Sequence, residues 1–135
     1  IRMYFSYNYT SLSPFYWQFE EGQYNMHTSF ANDKELYIDN NPIHNVENVN
    51  APILLWTGKN DQRIVWDQTM EFFIGLKRNN KKVIALFYPG QAHNLTTGSD
   101  AESDLAVKIL NWWDYFLKEK KEYSWIQVQA KKDAN

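Results

Sequence analysis

Two short apolar runs, each ending in a polar turn, dominate the hydrophobic pattern of this chain. The first covers Ile53 to Trp56, and the second covers Val83 to Tyr88 and stops at Pro89. Continuous apolar runs of this length are typical of parallel strands that are covered on both faces. We therefore predict two parallel strands, at residues 53–56 and 83–88.

Helical periodicity follows each predicted strand. A helix is predicted from Trp66 to Arg78, with Asp67 as its N-cap and apolar positions at Trp66, Met70, Phe73 and Leu76. The next helix opens with the S-x-x-E capping box of Ser99 and Glu102. Its predicted apolar stripe comprises Leu105, Ile109, Trp112, Trp113 and Phe116. The order strand, helix, strand, helix predicts a parallel α/β unit over residues 51–118.

Both ends of the chain lack this regularity. Residues 1–50 start with a stretch crowded with aromatic rings and continue as polar, turn-rich sequence. That composition indicates short helices and loops. Residues 119–135 are rich in lysine and are expected to fray as a tail. The predicted organisation is an irregular, partly helical segment (1–50), the βαβα unit (51–118) and the tail (119–135).

An acidic side chain follows the first strand and a basic one follows the second. Asp61 comes three residues after Gly58, and His93 follows the turn Pro89–Gly90. Ligands of open parallel sheets bind beyond the carboxyl ends of the strands. Taken alone, Asp61 could simply stabilise a turn, and His93 could be a solvated loop residue. The joint pattern favours an acid and a base of the kind found in a Ser-His-Asp triad.

Composition and spacing argue against several other functions. The net charge of −2 and the scattered lysines give no electrostatic case for binding nucleic acid. No apolar stretch approaches the roughly 20 residues of a membrane span. The histidines His27, His44 and His93 do not have the spacing of a metal site, and no cofactor is predicted. Because the chain has no cysteine, there is no disulfide framework, and the compartment stays open.

A larger set of residues carries a family resemblance. They are Asn41-Pro42-Ile43, the run from Ala51 to Val65 (APILLWTGKNDQRIV), Gln68, Phe72, Leu76-Lys77-Arg78 and the run from Tyr88 to Leu95 (YPGQAHNL). With them the chain, from about Tyr4 to Leu117, resembles the C-terminal part of the catalytic domain of prolyl oligopeptidase-type serine peptidases. The resemblance implies an incomplete α/β-hydrolase fold in which Asp61 is the triad acid and His93 the triad base. More loosely, it implies that Tyr7 and Tyr9 bind substrate.

The serine that such a triad needs is not found on a G-x-S-x-G elbow in these 135 residues. None of the five glycines (Gly22, Gly58, Gly75, Gly90 and Gly98) has a serine two positions later. We therefore expect this chain to be the C-terminal portion of one peptidase catalytic domain. Its full-length parent would hydrolyse peptides, whereas the isolated chain would be inactive.

Two other functions stay open. An esterase or other acyl hydrolase would use the same triad, because the triad does not record whether an amide or an ester is cleaved. A non-catalytic α/β interaction module could also retain this scaffold. A G-x-S-x-G elbow in the parent gene would favour the enzymes. In either case an exposed sheet edge could pair with a second copy, so we expect a possible homo-oligomer.

Overall fold

The computed structural model describes residues 3–9 and 11–130, in two compact units divided between Asn45 and Val46. The first unit contains a two-residue antiparallel ladder, β1 (Tyr7–Asn8) with β2 (Ser13–Pro14), and two short helices, α1 (Tyr16–Glu20) and α2 (Lys34–Asp39). A 3-10 helix, Pro42–Asn48, follows. These short helices and loops agree with the irregular character predicted for this part of the sequence.

Aromatic rings form the core of the first unit. Tyr4 and Tyr37 are buried and meet edge to face, with ring centroids 5.3 Å apart. Phe30 contacts both rings. Because the elements here are too short to bury a regular apolar face, side-chain packing between rings replaces it.

The second unit is built on two parallel strands, as predicted. Its elements are β3 (Ile53–Gly58), α3 (Asp67–Arg78), β4 (Val83–Tyr88), α4 (Asp100–Leu117) and α5 (Ser124–Gln129). β3 and β4 pair in parallel register from Ile53 opposite Val83 to Gly58 opposite Tyr88. Both strands therefore end at the same rung of the ladder.

Helices cover both faces of β4. On one face, Ile84 packs with Trp112 of α4 and Ile126 of α5. On the alternate face, the ring of Phe87 meets that of Trp66, just before α3, at 6.0 Å. Side chains of a strand alternate between the two faces of a sheet, so this arrangement buries both sides of β4.

Ser99 caps α4 as predicted, but the return bond of the capping box is displaced by one residue. The Ser99 Oγ accepts a hydrogen bond from the Glu102 N–H at 3.2 Å, and the Glu102 Oε2 accepts one from the Gly98 N–H at 2.6 Å. The glutamate thus reaches one residue further back than in the usual box. These bonds fix the point at which the loop after β4 ends.

Three details of the predicted βαβα unit are wrong. Asp67 is the first residue of α3 rather than its N-cap, a position that Trp66 occupies. Trp113 is 54% exposed, because one residue past Trp112 a helix has turned by about 100° away from the buried stripe. β3 is not covered on both faces: Trp56 is 39% exposed.

The expectation that the segment after Lys118 frays is also wrong as far as Gln129. Residues 124–129 form α5, and its Ile126 is fully buried against Ile84 and Trp112. Tyr123, Trp125 and Ala130 pack against the same cluster, and such tertiary packing stabilises a helix too short to form alone. Residues 131–135 of the predicted tail lie outside the described part of the chain.

Candidate active site

The acid loop, residues 59–64, follows β3 directly and holds Asp61. The Asp61 side chain is 6% exposed. Its Oδ1 accepts hydrogen bonds from the backbone N–H groups of Arg63 (2.8 Å) and Ile64 (2.9 Å). Two amide donors compensate the cost of burying one carboxylate oxygen. The loop therefore holds Asp61 in one orientation with its other oxygen, Oδ2, available.

The base loop, residues 89–96, follows β4 and holds His93. It starts with a turn in which the Gln91 N–H donates to the Tyr88 carbonyl at 3.4 Å. Pro89 occupies the second position of this turn, and Gly90, with φ of 75°, occupies the third. This is the residue pattern of a type II turn, whose third position needs positive φ. The turn reverses the chain immediately beyond the sheet and carries it toward the acid loop.

Backbone hydrogen bonds join the two loops. The Lys59 N–H donates to the Tyr88 carbonyl at 2.9 Å, and the Asn60 N–H donates to the Gln91 carbonyl at 2.8 Å. Gly58 makes the approach possible. A Cβ at this position would lie 2.2 Å from the Ala92 carbonyl oxygen and 2.4 Å from that of Gln91. Only a residue without a side chain fits there, since real Cβ atoms do not approach backbone so closely.

The two predicted site residues meet where the loops touch. His93 Nδ1 lies 2.8 Å from Asp61 Oδ2, which is hydrogen-bonding distance. The carboxylate is buried, whereas the imidazole is 42% exposed. Oδ1 of Asp61 thus binds amides of its own loop, and Oδ2 binds His93.

This arrangement determines which histidine nitrogen can do chemistry. An Nδ1–H that donates to the carboxylate leaves Nε2 as the acceptor of the neutral ring. The Nε2 of an exposed imidazole can take up a proton from a neighbouring hydroxyl and return it later. The buried carboxylate would stabilise the imidazolium formed in between. The pair can therefore act as a general base with a fixed tautomer.

A polar contact anchors the base of the second loop. The buried Tyr88 hydroxyl donates to Asp104 Oδ2 of α4 at 2.9 Å, and Lys108 pairs with the other carboxylate oxygen. Burial, followed by the hydrogen bond to Asp104, raises the pKa of Tyr88 well above its usual range. The hydrogen bond from Lys108 lowers the pKa of Asp104. A neutral tyrosine and an ionised aspartate thus tie the end of β4 to α4.

The other predicted site residues belong to the first unit. Tyr7 and Tyr9 are exposed, and their rings contact each other at 5.3 Å. Their assignment to substrate binding stays a prediction. Among residues 3–9 and 11–130, no group of three or more metal-ligating side chains is found. In the same residues no helix has the length and apolar character to cross a membrane.

The contacts that hold the acid and base together were not predicted from the sequence. They are the close approach of the loops at Gly58 and the hydrogen bonds of Gln91. For Asp61 a signal existed, because an aspartate that accepts from amides two and three residues on is a common turn pattern. For Gly58 there was none, since the neighbour that excludes a side chain lies more than thirty residues away.

The described residues contain a parallel pair of strands with helices, and an aspartate and a histidine are paired beyond the carboxyl ends of the strands. This arrangement is compatible with the α/β-hydrolase fold that the following family match implies. Residues 3–120 match the family model described as the prolyl oligopeptidase family. The chain belongs to this family of serine peptidases, as the resemblance implied.

Individual relatives agree with the family match. The chain is 36% identical over 78 residues to the acylamino-acid-releasing enzyme of Rattus norvegicus, covering 58% of this chain and 10% of the relative. It is 35% identical over 75 residues to the enzyme of the same name from Homo sapiens, and this alignment covers 56% of this chain and 10% of the relative. The uncharacterized peptidase YuxL of Bacillus subtilis (strain 168) is 31% identical to this chain over 106 residues. That alignment covers 75% of this chain and 15% of the relative. The chain therefore spans only a small part of the length of these relatives.

Proposed function

We propose that this chain supplies the acid, Asp61, and the base, His93, of a Ser-His-Asp triad in a peptide-cleaving serine hydrolase. The observation that carries the proposal is the 2.8 Å contact between Asp61 Oδ2 and His93 Nδ1 beyond the ends of two parallel strands. Membership of a serine peptidase family supports the reaction class. The βαβα unit would then be the C-terminal part of an α/β-hydrolase catalytic domain.

In this proposal the nucleophilic serine lies in sequence outside these 135 residues. His93 Nε2 removes the proton from the serine hydroxyl as its oxygen attacks the scissile carbonyl. The resulting imidazolium is stabilised by Asp61 and gives its proton to the departing amine as the C–N bond breaks. Water then repeats the sequence and releases the acyl group, which restores both residues. Without the serine the isolated chain would hydrolyse nothing.

Peptides are the proposed substrates of the full-length protein. Two relatives are named for the release of acylamino acids, which makes a peptide with an acylated first residue the specific substrate to try first. Tyr7 and Tyr9 are proposed to bind that substrate. Their exposed rings offer apolar area with polar tips, which suits a peptide side chain or an acyl group.

The deciding experiment uses the full-length protein that carries this chain and a serine-reactive fluorophosphonate probe. We expect labelling of one serine on a G-x-S-x-G elbow. Asp61→Asn and His93→Ala should slow labelling by at least about 10³-fold, because triad members act as a unit. His44→Ala, which changes an exposed histidine elsewhere, is the matched control.

The outcomes separate the candidate functions. Labelling followed by hydrolysis of acylated peptides supports the peptidase, whereas labelling with hydrolysis of esters alone would indicate an acyl hydrolase. No labelling in a correctly folded protein would contradict the proposal and leave Asp61 and His93 on an interaction module.

A further inference from the structure

Gln91 makes contacts with three different segments around the candidate triad pair. Its backbone N–H donates to Tyr88 at the end of β4, and its carbonyl accepts from the Asn60 N–H of the acid loop at 2.8 Å. The main chain of Gln91 therefore bridges the strand that leads to His93 and the loop that holds Asp61.

The side chain of Gln91 closes the rest of the base loop. Its Oε1 accepts a hydrogen bond from the Thr96 N–H at 2.7 Å. His93 is one of the residues 92–95 that lie between the two ends of this bond. The hydrogen bond that the structure gives to the imidazole is the one to Asp61. The geometry of the histidine thus depends on how firmly the backbone of residues 92–95 is held.

We propose that Gln91 is a positioning residue that keeps the base loop closed against the acid loop, so that His93 stays within hydrogen-bonding distance of Asp61. The proposal rests on the proposed function for its catalytic consequence. The contacts of Gln91 are with the backbone of Tyr88, Asn60 and Thr96, so the proposed role acts through the loop. The backbone of Gln91 fixes one end of the His93 segment to the acid loop, and its side chain fixes the other end.

Two substitutions separate the side-chain hydrogen bond from mere occupancy of space. Gln91→Met keeps the length of the side chain but removes the acceptor for the Thr96 N–H. Gln91→Glu keeps an acceptor at the same distance and should therefore rescue the effect. Gln129→Met, at an exposed glutamine of α5, is the matched control.

The test combines hydrogen exchange, followed by mass spectrometry, with steady-state kinetics on the full-length protein. In Gln91→Met we expect exchange of peptides covering residues 92–96 to accelerate at least about fivefold, the effect of losing a hydrogen bond of ordinary strength. The kcat should fall about tenfold with KM within twofold, because misplacing a catalytic group affects the chemical step. Gln91→Glu should restore both, and Gln129→Met should change neither.

Hydrogen exchange and kcat test separate parts of the proposal. Unchanged exchange in Gln91→Met would overturn the proposal, since the side chain would then not hold the loop. Faster exchange with unchanged kcat would overturn it too, because the loop closure would not position His93. If the unsubstituted protein neither reacts with the probe nor hydrolyses peptides, the proposed function fails, and the exchange data still decide whether Gln91 holds the loop.

Discussion

The acid loop and the base loop hold their functional side chains in opposite ways. Asp61 is buried and bound by two amides of its own loop, those of Arg63 and Ile64. His93 is half exposed, and its partners come from outside its loop: Asp61 binds the ring, and Asn60 binds the backbone at Gln91. The acid side chain is thus held by its own loop, whereas the histidine ring is held by the other loop, even though Gln91 and Thr96 close the base loop from within. Substitutions that distort the sheet or the acid loop should therefore displace the His93 ring. Substitutions in the base loop should leave the amide hydrogen bonds of Asp61 in place.

Substitution of Gly58 should have the largest effect on the contacts between the acid loop and the base loop. In Gly58→Ala the added methyl group would meet backbone atoms of Gln91 and Ala92, so the two loops must move apart. We expect the free energy of unfolding to fall by about 3 kcal/mol, the upper end for overpacking. Labelling by the fluorophosphonate probe should be lost in the full-length protein.

Gly90→Ala is the matched comparison in the base loop. A methyl group at this site meets nothing within 4 Å, but φ of 75° strains any residue with a side chain. The expected loss in free energy of unfolding is about 1 kcal/mol, measured by urea denaturation as for Gly58→Ala. If both alanine variants lost the same stability, close approach of the loops at Gly58 would not be the deciding constraint.

Tyr88→Phe tests whether the Tyr88–Asp104 hydrogen bond anchors the base loop, and its expected effect on the free energy of unfolding is smaller. Removing a buried hydroxyl that donates to Asp104 should cost about 1 kcal/mol at pH 7. Tyr24→Phe, at an exposed ring, should cost nothing measurable. Thermal or urea denaturation of the three proteins gives the comparison, and equal stability of both variants would contradict a role for the Tyr88–Asp104 bond.

The pH dependence of the same variant has a definite sign. Burial raises the pKa of Tyr88 in the folded protein above the value of about 10 that an exposed tyrosine has, so the unfolded chain loses this proton first. The contribution of Tyr88 is therefore complete below pH 10 and declines as the pH rises above it. The stability deficit of Tyr88→Phe should shrink between pH 9 and pH 12. A deficit that stays constant over this range would contradict the raised pKa.

Self-association of the isolated chain is the smallest expected effect. It tests which of the two strands, β3 or β4, a second copy pairs with. In the described residues β3 and β4 pair only with each other, so each strand has one unpaired edge; Trp56 on β3 is 39% exposed, whereas Val83 and Ile84 of β4 are buried. We propose that a second copy pairs along β3, since exposed strands recruit other strands. Sedimentation velocity should show weak dimers that Trp56→Lys abolishes. Trp113→Lys, on the exposed side of α4, should leave them unchanged; the reverse result would assign association to the helix.

The sequence allowed prediction of those features that repeat along the chain. Continuous apolar runs predicted β3 and β4, and the serine and glutamate at residues 99 and 102 predicted the start of α4. Features set by a distant neighbour were not predictable in this way. Residues 124–129 form only a short amphipathic segment, and it is the contact of Ile126 with Ile84 and Trp112 that makes α5 part of the core. The site divides similarly: Asp61 and His93 could be named from their positions after strands, whereas Gly58 and Gln91 act through contacts between loops.

The two interpretations of Asp61 weighed from sequence turn out to be compatible. One was an ordinary turn aspartate, the other an acid that orients a histidine. Its Oδ1 makes the turn contacts, and its Oδ2 contacts His93. A carboxylate has enough acceptor sites for both, which is why turn propensity alone could not decide between them.

The shared register of β3 and β4 has a consequence for how this region tolerates insertions and deletions. Gly58 and Tyr88 lie opposite each other, so both loops leave the sheet at one level. Residues added to or removed from the α3 crossover would change the spacing of 32 positions between Asp61 and His93 without changing their separation in space. A single residue added within one strand would shift its loop by about 3.3 Å and turn its side chains to the other face. Length variation among functional relatives should therefore be confined to the crossover, and the strands should keep a constant length.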